Sequence, residues 1–290
     1  MNTLILLILS GLTIGSIYGL VALGFTMIYT STKVFNFAQG EFVMLGAVLA
    51  AVFIGSYHMP YPLAISLTLL LVILVGIVLQ KLSVEVLQNK NASTIIVIMA
   101  TLGASIIISN ITRIGVSTRQ MFVPPLLGNG VVQIGNIVLQ KQNMLVIAAA
   151  VLALLLLWLF LNKTMVGLAV KAAGINRNAA SLMGINLSRV ITLTFIISAC
   201  VGAVAGIVIA PIISAYSYMG LPFTVKGFIA AVLGGMGNPY AAAVGGLALG
   251  MIESLVAGYF SSSLTDIVTF ILLPIILMIR PQGLFGEYEG

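Results

Sequence analysis

The sequence predicts an all-α integral membrane protein, a polytopic bundle of eight or nine transmembrane helices, and three observations carry that prediction. Hydrophobic residues make up 61% of the 290 and charged residues 6%, where an average soluble domain carries roughly 25% charged. The mean hydropathy is +1.23. Apolar runs long enough to cross a hydrocarbon layer of roughly 30 Å recur along the chain between short polar breaks. Length points to one transmembrane bundle spanning residues 1–290, without an added soluble domain. The net charge of +6 is then a topology signal, because cytoplasmic loops collect Lys and Arg. No basic folded domain is present to bind nucleic acid. Cys200 stands alone in an apolar segment, which rules out a disulfide framework and a multi-cysteine metal site.

The first span is expected over Leu4 to about Tyr29, and it carries no charge. Lacking a basic leader and a small-residue cleavage site, it reads as a span rather than a removable signal. Gly11, Gly15 and Gly19 recur at intervals of four, giving a smooth strip for close helix packing or, less simply, a pathway wall. Lys33 marks the first turn. Glu41 opens a second span running to about Tyr57, where an acid in the first turn gains about 0.3–1 kcal/mol from the helix dipole. His58 and the prolines at 60 and 62 form a hinge, and His58 is read as a loop residue.

Leu63 to Gln80 is the third span, with a short polar loop expected over Lys81 to Lys90. The fourth, Ala92 to Thr112, places Thr101, Ser105 and Ser109 on one face. These hydroxyls either bond carbonyls of their own helix or line a polar route through the bilayer. Arg113 to Gln142 is expected to be the longest loop, part of it dipping into the interface. Asn143 to Asn162 is the fifth span. Val190 to about Ser214 is the sixth, with Gly202 and Gly206 on a small-residue strip and Pro211 near its end. Pro222 to Gly237 is short and is either re-entrant or a complete crossing. Tyr240 to Gly258 carries a GxxxG at Gly246 and Gly250, and Leu264 to Ile279 is the last span. Glu253 is the most deeply placed acid and either pairs with a neighbour or faces a cavity. Asp266 fits the start of the last span.

Between the fifth and sixth spans lies the one long polar interruption of the second half, Gly167 to Arg189. It holds Lys171, Arg177 and Arg189 and no acid. Inside it, Arg177 to Met183 reads as a short helix with Asn176 as N-cap and Gly184 as C-terminal cap. Leu182 and Met183 give that helix an apolar tip that water does not favour, so it suggests a plug for a partner's groove. If the stretch is cytoplasmic, Lys33, Lys81, Lys90, Lys163, Lys171, Arg177, Arg189 and Arg280 fall inside. Arg113, Arg119, Lys141 and Lys226 then fall outside, and the eight-to-four asymmetry favours that orientation.

Catalytic constellations are missing. There is no GxxxxGK[ST] phosphate loop, no HExxH and no GxSxG elbow.

Four blocks resemble a known family, in order along the whole chain. Gly15–Tyr29 (GSIYGLVALGFTMIY) with Phe35–Ala47 (FNFAQGEFVMLGA) is similar to the opening of the LivH-type permeases of branched-chain amino-acid ABC transporters. Ala172–Ile185 resembles their cytoplasmic loop, Gly234–Ser254 their late glycine-rich helix, and Arg280–Gly286 (RPQGLFG) their closing signature. Two positions depart from the pattern. Gln39 stands for a frequent histidine, and Asn178 stands where many ABC permeases carry a glutamate. The resemblance implies a permease of the bacterial inner membrane, importing leucine, isoleucine or valine without a cofactor. Its partners would be a second, similar permease, two cytoplasmic ATPase subunits and a periplasmic or lipid-anchored binding protein. It makes 167–189 the coupling stretch, with Asn176, Arg177, Asn178, Ala179, Ala180, Leu182, Met183 and Gly184 facing the ATPase. Arg113 and Arg119 become candidate contacts for the binding protein, against the alternative of solvated loop charges. Related permeases of the superfamily carry urea, short amides or ribose, so the machine is fixed more firmly than the cargo.

Overall fold

The computed structural model describes residues 2–90, 92–116, 120–128, 130–134, 137–280 and 282–285. In chain order the elements are α1 (Asn2–Thr32), α2 (Gln39–Ala50), α3 (Tyr61–Leu79), α4 (Val86–Asn89) and α5 (Thr94–Gly115). Strands β1 (Val131–Ile134) and β2 (Ile137–Gln140) follow, then α6 (Lys141–Lys163), α7 (Met165–Ile175), α8 (Arg177–Leu182), α9 (Leu187–Ile213), α10 (Gly220–Gly234), α11 (Pro239–Tyr259) and α12 (Thr265–Ile279). Among the described residues, eight helices are long and apolar enough to cross a membrane.

Burial sorts these helices into an inner and an outer set. Of the span Gln39–Ser56, α2 with the π-helical turn Ala51–Ser56 that extends it, 72% is buried, and of the most apolar stretch of α9 61%, against 6% for Ser262–Ile279 and 17% for α5. In lipid an apolar surface costs nothing, so the inner contacts are made by small residues that bring backbones together. A Cβ on Gly15 would lie 2.9 Å from the Leu247 backbone, and one on Gly11 2.9 Å from that of Met251. From the other side Gly246 and Gly250 abut Gly19 and Gly15, so the two glycine strips interlock α1 and α11 antiparallel. Gly202 meets Phe42, Gly206 meets Val43 and Ala47, and Gly46 meets Ala203, which does the same for α2 and α9.

Gly206→Val is therefore expected to cost about 3 kcal/mol, the upper end for overpacking. Gly103→Ala, which meets nothing within 4 Å, should gain about 0.5 kcal/mol from helix propensity. Thermal midpoints of the purified variants check both signs.

Four expectations are corrected. Lys81–Lys90 is not a loop: a π-helical stretch, Gln80–Glu85, carries α3 directly into α4. Nothing in that polar run breaks a helix, and the Gln80 amide donates to Glu85 at 3.1 Å. The long loop after α5 is partly ordered as an antiparallel hairpin, Val131 opposite Gln140 and Ile134 opposite Ile137, so the all-α bundle carries a small β appendage. Lys226, counted with the outer charges, lies instead within the bundle on α10, paired with Glu253. Glu41 does open α2, but far from an interface. The Gln39 amide donates to the Ser198 carbonyl and the Ser198 hydroxyl to that of Gly24. Gly24 lies eight residues before the end of α1, about 12 Å at 1.5 Å per residue.

The open question over 222–237 resolves as a crossing. α1 and α9 are antiparallel, since Gly24 meets Ser198 and Ser31 meets Thr194. At the far end of α9, Ala215 pairs with Met121 through both backbone bonds. At the end of α1, Thr30 donates to the Gly237 carbonyl at 3.4 Å. The segment between passes from one end of the bundle to the other on a helix of 15 residues, about 22 Å long. The remainder is irregular backbone, tolerated at membrane depth only where protein covers it; Ala215 and Met219 are fully buried. The closing residues fasten the lower end of this crossing. Leu284 and Phe285 donate to the last carbonyls of α10, Leu233 at 2.8 Å and Gly234 at 3.0 Å. Gly283, at φ +80°, allows the approach.

Candidate functional site

The polar stretch folds as its caps dictate. Thr164 accepts from the Gly167 amide to start α7, and Asn176 accepts from Ala179 at 3.0 Å to start α8. Gly184, at φ +84°, ends it, and Asn186 caps α9 through the Arg189 amide. Ala180 turns inward and is buried, while Asn178 and Ala179 stay exposed. Leu182 and Met183 are 89% and 84% exposed, and Ile175, which sequence reasoning did not single out, is 87% exposed. Three large apolar side chains are thus left uncovered by the chain around one short capped helix. Arg177 bends back on its own chain, at 3.5 Å from the Thr32 carbonyl and 3.4 Å from the Gln88 amide oxygen.

A second polar centre lies inside the bundle, where both broken helices begin. The chain turns at Lys33 (φ +56°) and folds back along α1. Phe35 stacks on Tyr29 with centroids 4.8 Å apart, and Phe37 packs on Phe228. The exposed backbone groups of this return need partners. Thr32 and Asn36 accept from Val34 and Ala38, and Thr101 accepts from the Phe37 amide at 3.2 Å. The hydroxyl stripe of α5 therefore turns inward: Thr101 serves the first break, Ser105 donates to Glu41 Oε1 at 2.8 Å, and Ser109 donates to the Ser217 carbonyl of the second. Where α2 and α10 start, the Gly40 amide donates to Thr224 Oγ1 at 3.0 Å, and Gly220 lies against the Glu41 carboxylate. Glu41 is 2% exposed, and its Oε2 has no hydrogen-bond partner among the described residues.

The other intramembrane acid differs in this respect. Glu253 receives the Tyr18 hydroxyl at 2.7 Å, the Thr269 hydroxyl at 2.7 Å and the Lys226 ammonium at 3.0 Å. Lys226 also reaches Asp266 at 3.0 Å and lies 5.6 Å from the centre of the Tyr18 ring. Four helices meet there. Sequence reasoning missed Lys226 and Tyr18 as partners of Glu253. The available signal was a lysine within an apolar run, which a membrane interior accepts only with a counter-charge.

Arg113 donates to the Tyr218 hydroxyl at 2.7 Å, and Arg119 lies outside the described residues. No group of three or more His, Cys, Asp or Glu able to hold a metal occurs among the described residues.

A family model described as "Branched-chain amino acid transport system / permease component" matches residues 7–277. The chain is 33% identical to the "High-affinity branched-chain amino acid transport system permease protein LivH" of Salmonella typhimurium, over 97% of this chain and 94% of that one. It is 30% identical to the permease protein BraD of Pseudomonas aeruginosa, over 97% and 95%. Among solved structures, PsaBC from Streptococcus pneumoniae in complex with Fab matches with a TM-score of 0.52 at 12% identity, covering 98% of this chain and 92% of that one. That likeness concerns the fold alone.

Proposed function

This chain belongs to the permease family of branched-chain amino-acid transport systems, and from that premise we propose that it is the membrane subunit of an ATP-driven importer of leucine, isoleucine and valine in the bacterial inner membrane. The observation that supports the mechanism is the bare apolar tip of α8, Leu182 and Met183, beside Ile175. An ATP-driven permease without a phosphate loop of its own takes that free energy from a partner, and an exposed apolar helix tip is a surface on which a cytoplasmic ATPase can pull. ATP-driven closure of two ATPase subunits would shift the permease between two arrangements in proportion to its differential affinity for them. A second permease subunit and a substrate-binding protein complete the machine. Arg113, already engaged with Tyr218, and Arg119 are the proposed contacts for that binding protein.

The test is capture of the tagged chain from its native membrane, followed by reconstitution. The expected result is co-purification of an ATPase subunit and leucine uptake that requires ATP. Uptake by the chain alone, driven by an ion gradient, would replace this reading with a secondary transporter.

A further inference from the structure

Two acids lie within the bundle, and only one of them is spoken for. Glu253 has both oxygens occupied, by a lysine and two hydroxyls. Glu41 has one donor, Ser105 on Oε1, and an Oε2 that is buried and without a partner among the described residues. A buried oxygen left open costs on the order of 1–3 kcal/mol, more for a charged group. An intramembrane acid with such an open oxygen marks a functional site by default.

The surroundings of Glu41 indicate what that is. It lies where two interrupted helices begin, α2 at Gln39 and α10 at Gly220, in the deep interior next to irregular backbone. Membrane transporters build substrate sites from such interruptions. The carboxylate rests against Gly220, where a Cβ would come within 2.6 Å of Cδ and both oxygens, so α10 also covers the acid and only a glycine leaves it room there. No Lys or Arg is paired with it among the described residues, whereas Lys226 is committed to Glu253 and Asp266. The helix that covers it, α5, is among the least buried and is held there by the Thr101, Ser105 and Ser109 hydroxyls. Displacing α5 would open the Ser105 side of Glu41, with Gly220 still against the carboxylate.

We propose that Glu41 is the site in this permease that receives the α-ammonium group of the amino acid during passage. An ammonium supplies three N–H donors and a full positive charge, which suits a dry carboxylate with one oxygen open. Gly40 and Thr224, already hydrogen-bonded to one another, hold the two helix starts in register beside it. The inference rests on the reading of the chain as an amino-acid importer.

The experiment compares wild type with Glu41→Gln in proteoliposomes holding the whole complex, reading leucine uptake, ATPase co-purification and the thermal midpoint. Glutamine keeps the shape and still accepts from Ser105 but carries no charge. The proposal expects uptake to fall at least tenfold while the complex assembles and its midpoint stays the same or rises, since a buried charge has been removed. Wild-type uptake in the variant overturns the site and leaves the importer reading intact. Lost uptake together with a lowered midpoint or lost ATPase overturns it in favour of a structural acid. A wild-type complex that imports no leucine, isoleucine or valine removes the importer reading and the site with it.

Discussion

Replacing Leu182 and Met183 together by Asp is expected to abolish coupled uptake while leaving the permease folded. Both side chains are more than four-fifths exposed and hold nothing in their own chain, so the thermal midpoint of the purified subunit should not move. Burying a Leu or Met side chain in a partner contributes about 1.5–3 kcal/mol. Losing both removes about 3–6 kcal/mol, or roughly a hundred- to ten-thousand-fold in docking affinity. Two carboxylates driven into an apolar groove make the loss larger. The measurement is leucine uptake and ATPase co-purification in parallel with thermal stability. A variant that keeps the ATPase and transports normally would show that the contact lies elsewhere. With an uncharged Asn178 on α8, the proposed contact rests on apolar fit more than on a carboxylate.

The local chemistry of that stretch was legible because caps are short-range. Asn176 and Gly184 act on neighbours three or four residues away, and the residues that satisfy them are adjacent in sequence. The glycine strips were legible for a similar reason: intervals of four put small residues on one face whatever the partner helix is. The depth of α2 was not legible. Hydropathy reports how apolar a run is, and the run around Glu41 has the same profile whether the helix starts at the interface or, as here, about 12 Å further in. What sets the depth is Lys33 turning at positive φ and Thr101 and Thr32 taking up the stray amides, contacts made across 60 or more residues in one case and by an unusual backbone angle in the other. The hairpin did leave a trace, two β-branched runs, VVQI and IVLQ, on either side of Gly135 and Asn136. The direction of the α5 hydroxyls was likewise undetermined, because a stripe facing its own helix and one facing a break share one spacing.

Lys226→Met is expected to be the most damaging single substitution away from the packed glycines. It removes the cation from a cluster in which the Glu253 side chain is 8% exposed and that of Lys226 is 19%. Stripping one partner from a buried pair costs about 3–5 kcal/mol, and the two hydroxyl donors that remain on Glu253 place the expectation near the lower end. The Lys226–Asp266 contact adds little, because Asp266 is 68% exposed and such pairs contribute about 0–1 kcal/mol. Asp266→Asn should therefore shift the midpoint only slightly. The double variant Lys226→Met with Glu253→Gln removes the stranded charge while a glutamine oxygen still accepts from Tyr18 or Thr269, so it should recover most of the loss. Thermal midpoints of the three variants in one detergent read this directly, and equal midpoints for the single and double Lys226 variants would mean that the lysine does not compensate Glu253. The consequence reaches function through α10. This short crossing is fastened at its lower end by Leu284 and Phe285, at its upper end beside Glu41, and in its middle by Lys226. Releasing the middle should loosen the helix whose first residue borders the open carboxylate, and uptake should fall at temperatures where the protein is still folded.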